Sequence, residues 1–182
     1  MNKIIVIGAS SGGLKPLRRI IAALPIPCTA SVFIVMHLGN HPSILPSVLA
    51  ASTRLNVSFA KDGSPIQPGR IYVAPPDHHM LLELGRVRLN RGPKVHHTRP
   101  AADPLFISAA EIYGERVIGV VLSGGDGDGA EGLRSIKDHG GEALVQHPGD
   151  AAVPSMPKAA IVMDHPDACS VEEIAKRVKS CR

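Results

Sequence analysis

Three runs of strand length, "IIVIG" (residues 4–8), "SVFIVM" (31–36) and "VIGVVLS" (117–123), carry no polar residue between their first and last positions. A strand with one face in water alternates apolar and polar residues, whereas one covered on both faces reads as a continuous apolar run. Segments with helical spacing separate these runs, near residues 17–24, 43–51, 103–113, 130–137 and 171–179. The pattern predicts an α/β fold: a doubly wound, mostly parallel sheet with helices on both faces. "NVSFA", "RIYVAP" and "EALVQ" add strands, and "MLLELGRVRLN" reads as an inserted antiparallel hairpin turning at Gly85. The Pro/Gly-rich stretches at 62–69, 90–100 and 147–157 read as loops.

The 182 residues fit one domain with a substantial core. No repeat, low-complexity tail or interdomain linker interrupts them. The formal charge of +4 is spread along the chain, and with no Trp, two Tyr and three Phe there is little to stack on bases, which argues against nucleic acid. A mildly basic face suits an acidic protein partner. Cys28, Cys169 and Cys181 lack metal or disulfide spacing and are expected as reduced thiols of a cytoplasmic protein. No run approaches the roughly 18 apolar residues of a membrane span, so no membrane insertion is expected.

The first apolar run ends in "GASSGG" (8–13), which suits either a phosphate cradle or a nucleophilic serine. The glycine loop of short-chain dehydrogenases needs a further glycine where Leu14 stands. A dinucleotide site wants an acid at the end of the second strand, where this chain has His37. Tyr72 and Tyr113 lack the lysine four residues on that such enzymes use, and no Walker sequence occurs. The serine reading therefore gains. Ser10 follows the first strand, His37 ends the second, and Asp126 and Asp128 follow "VIGVVLS". Hydroxyl, imidazole and carboxylate are the set that nucleophilic acyl transfer requires. Taken singly, Ser10 also reads as a helix cap, His37 as a core histidine, and either aspartate as a turn former or the cap of the next helix.

Six segments in order resemble the catalytic domain of the CheB protein-glutamate methylesterases: "IGASSGG", "VMHL", "YVAPPDHHM", "TRPAADPLF", "LSGGDGDGAEG" and "PSMPKAA". The resemblance implies a single catalytic domain over residues 1–182, without the receiver domain that usually precedes it. "MNKIIVIGAS" begins with Met and shows no tag or cut linker, so a free-standing form is expected. It also implies Ser10 as nucleophile, His37 as general base and Asp128, rather than Asp126, as the orienting carboxylate. Ser11 and Gly125 become candidates for the oxyanion hole and Arg99 for substrate positioning. The implied activity is demethylation of glutamyl methyl esters, with deamidation of glutamines, on cytoplasmic helices of methyl-accepting chemoreceptors. A non-catalytic scaffold of the same fold and a nucleotide-binding oxidoreductase are the competing readings. Against the family's usual Gly-Met-Gly-Asn-Asp-Gly, this chain places Gly125 at the Met and adds the charge of Asp126, which is expected to move the pH optimum upward. Thr98 stands where the family often has His. No cofactor or metal is expected, since adjacent histidines such as His78–His79 and His96–His97 point apart on a strand.

Overall fold

The apolar runs form the middle of a seven-stranded sheet. In a computed structural model describing residues 2–37 and 41–180, these runs become β1 (Ile4–Ala9), β2 (Ser31–Met36) and β7 (Val117–Val121). They lie side by side and parallel, with β1 between the other two. All three are buried along their whole length, as continuous apolar strands must be. Outward on one side follow β4 (Arg70–Val73) and β3 (Asn56–Phe59), and on the other β8 (Glu142–Gln146) and β9 (Asp167–Cys169), every pairing parallel. The hairpin of β5 (His79–Glu83) and β6 (Arg86–Asn90) is a separate two-stranded sheet.

Alternate residues of each strand feed two cores. Ile5, Ile7, Val32, Ile34, Ile118 and Val120 face α1 (Leu14–Ala22), α2 (Leu45–Ala50) and α6 (Val171–Lys179). Val6, Phe33, Val35 and Val121 face α3 (Ala102–Tyr113), α4 (Ala130–Asp138) and α5 (Ser155–Asp164). The hairpin is tied to α3: the Tyr113 hydroxyl donates to Glu83 C=O at 2.9 Å, and Ser108 Oγ accepts Leu82 N–H at 3.0 Å.

Two elements differ from the sequence expectation. Residues 155–157, read as loop, open α5, where Pro157 sits in the first turn and its missing N–H costs nothing. The three-residue β9 was too short for any pattern to reveal. Cys28 and Cys169 are free and buried. Cys181, and Leu38 of "VMHL", lie outside the described residues. No helix among the described residues is long and apolar enough to cross a membrane.

Candidate active site

β1 leads through α1 to β2 on one side, and its other neighbour is β7, so the chain reverses direction across the sheet at β1. Such a switch point leaves a crevice at the carboxyl ends of the strands. Backbone hydrogen bonds continue past those ends: His37 N–H donates to Ala9 C=O (3.1 Å), Ser10 N–H to Ser123 C=O (2.9 Å) and Leu122 N–H to Gly8 C=O (2.9 Å). Ser10 is thereby held between the segments that carry His37 and the aspartates. Its loop closes through Gly13 N–H to Ser10 C=O at 2.9 Å, and α1 begins one residue later. Gly12 has φ +75°, and a Cβ there would stand 2.7 Å from Ala152 Cβ and 2.8 Å from Ser123 Oγ. Only glycine meets both conditions. The Ser123 hydroxyl donates to Ser11 C=O (2.7 Å) and accepts Val153 N–H (2.9 Å), stitching the serine loop to the segment before α5. Neither this serine nor Gln146, whose Oε1 accepts Ser123 N–H at 3.0 Å, was legible as part of the site. A lone polar residue beside a strand end carries no spacing signal.

The structure brings His37 and Asp128 together. His37 Nε2 lies 2.7 Å from Asp128 Oδ2, and Asp128 is wholly buried. The same carboxylate accepts Ala102 N–H at 2.6 Å and Asp103 N–H at 3.0 Å. Burial alone would disfavour its charge, yet the hydrogen bonds from His37, Ala102 and Asp103 outweigh it and hold the carboxyl below its ordinary value. Asp126 Oδ2 stands 3.5 Å from the other ring nitrogen, Nδ1, while its Oδ1 accepts Asp128 N–H at 2.9 Å. Among the described residues the Ser10 hydroxyl makes no hydrogen bond to the ring. Thr98 Oγ1 is 3.4 Å from Nε2 and donates to Val95 C=O.

Behind Asp128 lies a buried acid that sequence reasoning missed. Asp103 Oδ1 accepts Gly129 N–H (3.0 Å) and Gly132 N–H (2.8 Å), and Oδ2 is 2.9 Å from His96 Nε2. The two aspartates thus cap each other's helices: Asp128 serves the first turn of α3 and Asp103 that of α4, neither of which has a side-chain cap at its own N-cap residue. Burial, and then the charge of Asp128, push the Asp103 carboxyl above its ordinary value. His96 and His97 occupy consecutive left-handed positions, φ 49° and 63°, between the reciprocal backbone hydrogen bonds of Val95 and Thr98. Ligand atoms of His96, Asp103 and Asp128 lie within 4.8 Å of one another, and each of the three side chains is already hydrogen-bonded within the protein. His78 and His79 are tied separately, to the carbonyls of Pro76 and Pro93.

A cavity of about 100 Å³ opens beside His37, lined by Asp77, Lys94, His97, Thr98, Arg99 and Pro100. The Arg99 guanidinium spends all three nitrogens on the protein: Nε and Nη2 on Asp77 Oδ1 (3.0 and 2.6 Å) and Nη1 on Gly92 C=O (2.8 Å). Hydrogen bonds from Arg99 and Arg91 hold Asp77 below the usual carboxylate range. Ser11 and Gly125 are exposed at the crevice mouth, and among the described residues neither N–H donates to a backbone carbonyl. A Cβ at Gly125 would meet nothing within 4 Å, whereas one at Gly124 would collide with Met156 Sδ and stand 2.9 Å from Ser10 Cβ. A larger groove, about 560 Å³, runs along α1 past Leu14, Arg18 and Ala22 and holds none of these groups.

Comparison with known proteins places the fold and the family. Residues 5–178 match the family model described as CheB methylesterase. A protein-glutamate methylesterase/protein-glutamine glutaminase of Anaeromyxobacter dehalogenans is 40% identical over 97% of this chain and 52% of its own length. A Leptospira interrogans protein named for the same two activities is 37% identical over 94% of this chain and 91% of its own length. This chain therefore spans about half of the first relative and nearly all of the second. The crystal structure of the Thermotoga maritima CheB methylesterase catalytic domain superposes with a TM-score of 0.91 at 33% identity, covering 98% of this chain and 97% of that one.

Proposed function

Because the chain belongs to the CheB methylesterase family, we propose that it is a serine hydrolase of glutamyl methyl esters, with Ser10 as nucleophile, His37 as general base and Asp128 as the orienting carboxylate. One observation carries the reading: a buried carboxylate takes His37 Nε2 at 2.7 Å, one strand over from Ser10. That bond fixes the ring, stabilises the imidazolium and leaves Nδ1 as the nitrogen free to accept a proton.

A serine hydroxyl is a poor nucleophile until a base takes its proton. Ser10 Oγ attacks the ester carbonyl carbon as its proton passes to His37 Nδ1, and the carbonyl π electrons move onto the oxygen. Ser11 and Gly125 N–H groups meet that oxyanion at the mouth of the crevice. The tetrahedral intermediate collapses, the C–OCH3 bond breaks, and methoxide leaves as methanol with the proton from Nδ1. A water then gives its proton to Nδ1 and attacks the acyl-enzyme, and Ser10 departs reprotonated, leaving a glutamate. The same attack on a glutamine side chain expels ammonia. Arg99 acts by bracing, through Asp77, the cavity wall against which the substrate rests. Residues 1–182 work as one catalytic unit in the cytoplasm. The substrate is a methylated protein, the cytoplasmic helices of methyl-accepting chemoreceptors, and the pathway is chemotaxis.

Methanol release from methylated receptor tests this directly. Ser10→Ala and His37→Ala are expected to lower turnover by about 10⁴-fold or more. Near-full activity in Ser10→Ala would refute the assignment. A fluorophosphonate probe that leaves Ser10 unlabelled would favour a non-catalytic module of the same fold.

A further inference from the structure

Resting on the assignment of His37 as base, we infer that Asp126 is a positioning residue that decides whether His37 can take the proton of Ser10, and so sets the pH range of the reaction. Imidazole has two nitrogens, and Nε2 is committed to Asp128 at 2.7 Å. Only Nδ1 remains for Ser10, and Asp126 Oδ2 faces it at 3.5 Å. An ionised carboxylate offers acceptors alone. It is attracted to Nδ1 carrying a proton and repelled by Nδ1 carrying a lone pair. The state that Asp126 favours is therefore the one in which His37 is no base.

The placement of Asp126 is built rather than incidental. Its Oδ1 accepts Asp128 N–H at 2.9 Å, so the side chain is folded back over the loop with Oδ2 towards the ring. Among the described residues, His37 is the only basic side chain within ion-pair distance of it. The other acids around His37 are met elsewhere. Asp128 is bonded by two backbone N–H groups, Asp77 is paired with Arg91 and Arg99, and Asp103 is paired with His96. Lys94 and His97 line the same cavity as His37, and neither is within ion-pair distance of Asp126. Ser10 and Ser11 on the β1 side are uncharged, and Leu38, Gly39 and Asn40, which follow His37, have no ionisable side chain.

Asp126→Asn separates charge from loop geometry, because Asn retains the oxygen that accepts Asp128 N–H. The ascending limb of the pH profile of kcat/KM is expected to move to lower pH, with about a tenfold gain in rate at the foot of the limb and little change on the plateau. Asp126→Ala should move the limb in the same direction. Limbs that coincide with wild type in both variants, or that move to higher pH, would overturn the inference. If His37→Ala keeps its esterase activity, the base assignment fails and this inference with it. If His37→Ala is inactive while Asp126→Asn keeps the wild-type pH profile of kcat/KM, the role of Asp126 alone fails.

Discussion

Asp128 serves two structures with one carboxylate, and the residue scale is where its consequences are sharpest. Through Oδ2 it holds His37, and through both oxygens it closes the first turn of α3. Asp128→Asn should therefore lose activity by about 10⁴-fold, as happens when the orienting acid of a serine triad is neutralised. It should also lose stability in a pH-dependent way. The folded-state carboxyl lies below its ordinary value, so its stabilisation is complete above the ordinary carboxylate range and is lost as pH falls through the folded value. Urea midpoints of wild type and Asp128→Asn should differ most near neutrality and converge as pH falls below the ordinary carboxylate range. A gap that widens on acidification would show that the sign is wrong. From residues alone, Asp126 and Asp128 were equivalent, two acids in one glycine-rich loop. Burial and three hydrogen bonds distinguish them, and no local pattern encodes either.

At the scale of elements, α3 and α4 exchange their caps. A cap is sought just ahead of the helix it serves, so Asp128, next to Gly129 at the start of α4, reads as the cap of α4. In the folded protein it serves α3, and Asp103, inside the first turn of α3, serves α4. The exchange fixes the two helix starts relative to each other and holds Asp128 in place for His37. Asp103→Ala removes the acceptor for Gly129 and Gly132 N–H and is expected to cost roughly 1–2 kcal/mol in urea unfolding. Asp103→Asn keeps one acceptor oxygen and relieves the burial of a charge, so its loss should be the smaller of the two. Equal losses would mean that the N–H contacts contribute little. α5 was missed for a related reason: Pro157 reads as a loop residue unless the start of the helix is already known, and only packing against α4 and the sheet supplies that knowledge.

For the whole molecule, the site sits between two cores on opposite faces of the sheet. Phe106 is wholly buried beneath it, and a Cβ on Gly8 would approach its ring to 3.5 Å while one on Gly132 would collide with its Cβ. Phe106→Ala should cost about 3–5 kcal/mol, measured by urea denaturation. The void would lie under both the serine strand and the start of α4, so kcat should fall even where the protein stays folded, and unchanged turnover would count against that coupling. By itself, the sequence determined the layered parallel architecture, because strands like "SVFIVM" are stable only when covered on both faces. It likewise determined the hairpin at Gly85, and it marked Ser10, His37 and the two acids as ends of apolar runs. Tertiary structure alone decided at which ring nitrogen each acid stands, which helix each aspartate caps, and that Arg99 is committed to Asp77. The physical reason is one of range. Periodicity and turn chemistry act within a few residues, whereas desolvation and hydrogen-bond competition act between groups such as His37 and Asp128, 91 positions apart, whose distance exists only after folding.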